Sequence, residues 1–161
     1  MAHLIDSLHR GYPVGSVLLW ETPDNIRVAP QVGIYERSEF QIESGSLSDS
    51  SRIPRYILDG QQRLTSVFMA LQCFAQRKVT AEYPNIYYDY ASRVDSDRPL
   101  FKPLTDAEAA NGEYFGIQKI LDQGAYDLFM RQRHDDMTDE HRMRVEMVRS
   151  RLMSCEIPGD L

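Results

Sequence analysis

Between residues 64 and 75 the apolar positions Leu64, Val67, Phe68, Leu71, Phe74 and Ala75 recur at spacings of three and four. That period predicts a single apolar stripe on an amphipathic helix. Cys73 falls nearly opposite Leu64 on the same wheel and lies off the stripe. Before this helix, the run from Ile53 to Leu58 predicts a strand, and the polar pentapeptide Asp59-Gly60-Gln61-Gln62-Arg63 joins the two. Nearer the N-terminus, Leu4, Ile5 and Leu8 share one face of a short helix over 1–10, with Gly11 as its stop. Gly11-Tyr12-Pro13-Val14-Gly15 predicts a turn, or a place where backbone approaches a ligand closely, and Ser16 to Trp20 predicts a buried strand.

The remaining signals are shorter. Alternation at Val32, Ile34, Phe40 and Ile42 predicts one strand or a hairpin within 31–42, and Ser44 to Ser51 has the composition of a loop. Asn85 to Tyr90 predicts an aromatic-rich strand, whose tyrosines either stack on bases or pack a sheet face. Leu100-Phe101 predicts a short strand. Thr105 and Glu108 form a capping-box pattern for a short helix ending at Gly112. Tyr114 to Arg131 predicts a helix interrupted at Gly124. Thr138 caps a last helix, with Asp139 and Glu140 in its first turn and Met143, Met147, Val148 and Leu152 on one face. With no internal repeat and no linker, the chain is expected to form one domain.

Composition narrows the classes. The chain has 161 residues, 42% of them hydrophobic and 26% charged, enough to bury roughly two thirds of the unfolded surface in one core. No apolar run approaches the ~20 residues that span a bilayer, and Met1-Ala2-His3 lacks the basic and apolar regions of a signal peptide. A cytoplasmic protein without membrane contact is expected. Cys73 and Cys155 make no disulfide framework, and the four histidines have no ligand spacing, so no Cys/His metal site is expected. The net charge of −6 argues against a nucleic-acid surface. The densest basic cluster, Arg142, Arg144, Arg149 and Arg151, is interleaved with Glu140 and Glu146, and its arginines suit the C-terminal end of a helix dipole.

The pentapeptide has two readings. In one, Asp59 is the N-cap, Gln62 completes a capping box, Gly60 permits the turn and Arg63 is a surface residue. In the other, the helix N-terminus offers free N–H donors to an anion, Gly60 lets the backbone come close, and Arg63 adds a planar cation. Gln61 and Arg63 then flank the apolar stripe at the helix base. Asp59 would serve as a metal ligand, a base for water, or a group orienting Gln or Arg. No P-loop, no G-x-G-x-x-G and no defensible nucleophile set occurs.

Leu4-Ile5-Asp6-Ser7-Leu8, Gly11-Tyr12-Pro13-Val14-Gly15 and Tyr56 to Thr65, which contains an unbroken D-G-Q-Q-R-L-T, together resemble the N-terminal domain of GmrSD-type restriction proteins. The specific match covers roughly residues 3–20 and 55–75. The resemblance implies an α/β (α+β) fold of ParB/sulfiredoxin type, a small mixed sheet flanked by helices. Within one domain of residues 1–161, it implies a ParB-like core over 1–90 and a mostly helical extension over 91–161. It implies a nucleoside triphosphate, with magnesium, bound and hydrolysed at Gly60, Gln61, Gln62 and Arg63, with Asp59 catalytic and a candidate magnesium ligand. The partner is then a nuclease domain elsewhere in the protein or complex, with DNA contacted indirectly; this chain contains no H-N-H-type nuclease pattern. Family members carry a Tyr-Gln-Arg-type segment upstream and a Phe-x-x-x-Asn-type segment downstream that are lacking here, so the chain is expected to be a fragment that lacks part of the family's site. The alternative is a non-catalytic ParB-like DNA-binding or protein-adaptor domain. Sulfiredoxin-like redox chemistry is set aside, because no cysteine stands at the corner.

Overall fold

The structure, a computed structural model, describes residues 1–24, 26, 31–36, 53, 55–72, 83–93 and 98–154. The first predicted helix forms as α1 (Ala2–Arg10) and stops where Gly11 takes φ 71°, its N–H bonding Leu8 O at 3.1 Å. It buries Ile5 and His9.

The next strand, β1 (Leu18–Glu21), pairs antiparallel with β4 (Arg55–Asp59) in a two-stranded ribbon, matching Leu19 to Ile57 and Trp20 to Tyr56. All four residues of β1 are exposed, so the expected buried strand is instead a surface one. Its apolar side chains are served by cross-strand contact, as where Trp20 tilts onto Tyr56 at 6.4 Å between centroids. Arg55 Nε meets Glu21 Oε2 at 2.9 Å on the same ribbon.

Between these strands, β2 (Gln31–Val32) and β3 (Tyr35–Glu36) form the hairpin alternative, turning through Gly33 at φ 62°. Residues 37–42 of that expectation, and the serine-rich stretch 44–51, lie outside the described residues.

The helix α2 (Gln61–Leu71) forms where the stripe predicts one, starting one residue later than an Asp59 cap would place it and ending sooner than the periodicity implies. At Gln72 the backbone turns extended, its N–H bonding Phe68 O at 2.8 Å and its Nε2 donating to the buried Tyr35 hydroxyl at 2.8 Å. Cys73, Phe74 and Ala75 lie outside the described residues. The deepest burial falls at Met69 and Ala70 rather than along the Leu64–Phe68–Leu71 stripe. The helix is covered from two sides, and that is the physical reason. Ala70, Val67 and Leu71 face the main core, while Phe68 meets Tyr35 edge-on and Met69 lies under Gly33.

Every residue of β5 (Ile86–Asp89) is buried, so this strand needs a neighbour on each edge. It has them in β6 (Phe101–Pro103) and β7 (Tyr114–Gly116), both antiparallel, with Tyr88 opposite Phe101 on one side and Phe115 on the other. Tyr87, Tyr88 and Tyr90 are packed into the core, which settles the tyrosine row as a sheet face rather than a stacking platform. The helix predicted from Tyr114 is thereby corrected. Tyr114–Gly116 is taken up as a sheet edge, a 3-10 turn follows at Ile117–Lys119, and α4 (Gln123–Gln132) starts only at the Asp122 cap.

The capping box at Thr105 and Glu108 opens α3 (Asp106–Ala110) with both reciprocal bonds, at 3.3 and 2.8 Å. Thr138 opens α5 (Asp139–Met153). On α5 the buried residues are Val145, Val148 and Leu152, whereas Met143 and Met147 are exposed. Two stripes of helical period compete in that sequence on opposite sides, and the core takes the branched one. The core joins Ile5 of α1 and Ala70 of α2 to Tyr88, Phe101 and Phe115 of the sheet and to Phe129, Val145, Val148 and Leu152 of α4 and α5. The α/β class is therefore as expected. In place of one mixed sheet, the described strands form antiparallel units of two, two and three. Among the described residues no helix is long and apolar enough to cross a membrane.

Candidate functional site: an uncapped helix start

Strand β4 delivers Asp59, and Gly60 at φ 87° and ψ 4° is the N-cap of α2. The first intrahelical bond runs from Leu64 N–H to Gly60 O at 3.0 Å. No side chain caps this helix. That corrects the capping-box reading: the cap falls one residue past Asp59, on a residue without a side chain, and Asp59 reaches towards Arg63 instead. In α3, α4 and α5 the side chains of Thr105, Asp122 and Thr138 each accept a first-turn N–H, whereas α1 and α2 have no side-chain cap. The start of α2 leaves its N–H donors and the positive end of its dipole unopposed by any cap.

Arg63 organises what surrounds this start. Its Nη2 donates to Ser16 O at 2.6 Å and meets Asp59 Oδ2 at 3.2 Å. Gly15, at φ 85°, lies under the guanidinium, and a Cβ there would collide with it. A Cβ on Gly60 would lie 3.1 Å from Val17 Cγ2 and 3.3 Å from both Ser16 O and Arg63 Nη2. Both positions thus favour glycine, by positive φ and by close approach, and at Gly15 the near atoms are the mobile end of the Arg63 side chain. The Asp59 side chain is 70% exposed and that of Arg63 37%, so their pairing is screened and worth under ~1 kcal/mol. Gln61 and Gln62 are exposed and make no hydrogen bond through their side chains among the described residues.

The sequence-predicted site residues therefore converge at one corner, where Asp59, Gln61 and Gln62 are exposed, Arg63 is partly so and Gly60 is buried. What the sequence did not reveal is that the 11–15 turn belongs to it: the backbone approach suggested by two glycines is an approach to Arg63. Among the described residues no group of three or more His, Cys, Asp or Glu could hold a metal ion. A magnesium ion at Asp59 would take the rest of its shell from phosphate oxygens and water, which is how magnesium is commonly held in phosphoryl-transfer sites.

The basic cluster on α5 has other work. Arg144 Nη1 donates to the carbonyls of Tyr90, Ala91 and Ser92 at 2.9 to 3.2 Å. Arg149 donates to Ile120 O and stacks over Tyr126 at 4.1 Å, Arg142 donates to His134 O, and Arg151 to His9 O. These side chains brace main-chain carbonyls instead of presenting a phosphate-binding stripe.

Over residues 1–153 the sequence matches the family model described as GmrSD restriction endonuclease, N-terminal domain. The chain belongs to that family. No curated protein and no solved structure matches it. Membership in the GmrSD N-terminal family supports a role in DNA restriction and phage defence, and implies a nuclease domain in the full-length protein. The segments that carried the resemblance meet in space. The helix holding Leu4–Leu8 packs on α2, and the turn that follows it lies against Arg63.

Proposed function

We propose that the corner at Asp59–Arg63 binds the phosphates of a nucleoside triphosphate, and that the domain hydrolyses it to regulate the partner nuclease. The observation that carries this reading is the start of α2, which no side chain caps and where Gln61 and Gln62 are exposed beside the buried Gly60. Its N–H groups after Gly60 face an anion with no side chain to displace. Gln61 and Gln62 stand free beside it, and Arg63 keeps Nε and Nη1 unengaged among the described residues. Asp59 is the carboxylate of the corner. In hydrolysis, water adds to the terminal phosphorus, the bond to the bridging oxygen breaks, and Asp59 takes the water's proton; magnesium, when bound, supplies charge neutralisation. The ParB/sulfiredoxin-like topology and an indirect, nuclease-mediated contact with DNA belong to the same proposal.

Calorimetric titration with magnesium nucleoside triphosphates tests it. Wild type is expected to bind, and Gln61→Ala with Gln62→Ala to weaken binding at least about tenfold, the loss of roughly one hydrogen bond to a charged group, without change in melting temperature. Asp59→Asn is expected to stop phosphate release. Absence of binding by wild type at millimolar nucleotide overturns the reading.

A further inference from the structure

We infer that Arg63 is a positioning residue. Its Nη2 edge fastens the Pro13–Ser16 turn against the start of α2, so that this turn forms the second wall of the corner. Arg63 Nη2 reaches Ser16 O at 2.6 Å across 47 residues of sequence, a shorter bond than the 3.2 Å contact with Asp59 four residues away. The turn offers Arg63 a carbonyl and a glycine face. Gly15 has the positive φ that turns the chain under the guanidinium, and any side chain there would displace it. The fastened turn in turn closes on Gly60, with Ser16 O and Val17 Cγ2 both within 3.3 Å of where a Gly60 Cβ would stand. Gly15, Ser16, Gly60 and Arg63 therefore form one interlocked set. The same device recurs where Arg144 gathers three carbonyls of the 90–92 turn, beside the three-stranded sheet. At Arg63 the fastened segment borders the open helix start. That this wall bears on nucleotide affinity rests on the function proposed above; the fastening itself does not.

Backbone nitrogen relaxation of the nucleotide-free protein, read beside nucleotide titration, separates the two. Arg63→Ala is expected to raise backbone mobility at residues 14–18 while β5 stays rigid, and Arg63→Lys, which restores one cationic donor, to recover part of the order. Gly15→Asn tolerates the positive φ, but its side chain takes the space the guanidinium occupies and so breaks the fastening. It is expected to loosen residues 14–18 as Arg63→Ala does and to lower nucleotide affinity about tenfold, the scale of one charge-assisted hydrogen bond. If Arg63→Ala abolishes nucleotide binding while residues 14–18 stay as rigid as in wild type, Arg63 acts on the phosphate alone and the inference falls. If Gly15→Asn binds nucleotide as wild type does, the turn is no wall. If wild type binds no nucleotide, the proposed function fails, and the mobility of residues 14–18 in Arg63→Ala still decides the fastening.

Discussion

Strands β4 and β5 are similar in length and rich in apolar residues, Arg55 to Asp59 in one and Ile86 to Asp89 in the other, yet their surroundings differ sharply. Every residue of β5 is buried between two partner strands and beneath helices, while four of the five residues of β4 are exposed in a two-stranded ribbon. Polar groups follow the same division. Around β5, Asp89 is held by Lys102 at 2.7 Å and by Ser92; burial alone would raise its pKa, but these partners together hold it below the usual carboxylate value. Around β4, Asp59 and Arg63 meet in the open. The β5 region supplies the packed core, and the β4 region ends at a helix start that no side chain caps. This is the expected place for a site, since unsatisfied groups are tolerated where water serves them until a ligand does.

The largest expected effect sharpens that contrast. Tyr88 and Phe115 are fully buried at adjoining positions of the three-stranded sheet, so truncating either to Ala is expected to cost about 3–5 kcal/mol. Leu58→Ala on the exposed ribbon is expected to stay within about 0.5 kcal/mol. Urea denaturation measures both, and equal losses would break the comparison.

Acid is the next lever. His9 is 2% exposed, packs against Tyr88 and Phe101, and among the described residues has no hydrogen-bond partner for either ring nitrogen. Burial first, and then the nearby Arg151, lower its pKa from 6.5 to about 4; Arg10 adds to this and Asp6 opposes it. The unfolded chain binds this proton more readily, so stability is full above pH 6.5 and is lost as pH falls towards 4, by about 3 kcal/mol. His9→Leu is expected to flatten the melting temperature over that window.

The arginines give a smaller contrast. Arg144→Ala leaves three turn carbonyls without their donor and is expected to cost about 1–3 kcal/mol. Arg63→Ala, more exposed and with one short bond, is expected to cost under about 1 kcal/mol while loosening its own turn. Smallest is the cap difference. Thr105→Ala removes a real N-cap and is expected to cost about 1 kcal/mol, whereas Asp59→Ala, which caps nothing, is expected to cost less. Denaturation midpoints rank all four.

Local grammar was legible in the sequence wherever a few adjacent residues decide the outcome. Gly11 stops α1, Thr105 and Glu108 make their box, and Thr138 starts α5, because each works within one helical turn. Faces chosen by distant partners were not legible. Tyr114–Gly116 reads as helix until the unmet edge of β5 claims it, and Met143 and Met147 compete on equal terms with Val145 and Val148 until the core selects one side. At the site, the five residues from Asp59 to Arg63 were readable as a unit. Their cap and their second segment were not. A positive φ at Gly60 moves the helix start by one residue, and the bond to Ser16 O joins positions 47 apart.

The central claim is that the open start of α2 is where a nucleotide's phosphates bind, and it is tested most directly at the donors themselves. Amide exchange should be compared with and without millimolar magnesium nucleoside triphosphate. Slowed exchange at the N–H groups of Gln61, Gln62 and Arg63, with β5 unchanged, is the predicted result. Unchanged exchange at those three amides, whether or not protection arises elsewhere, would contradict it.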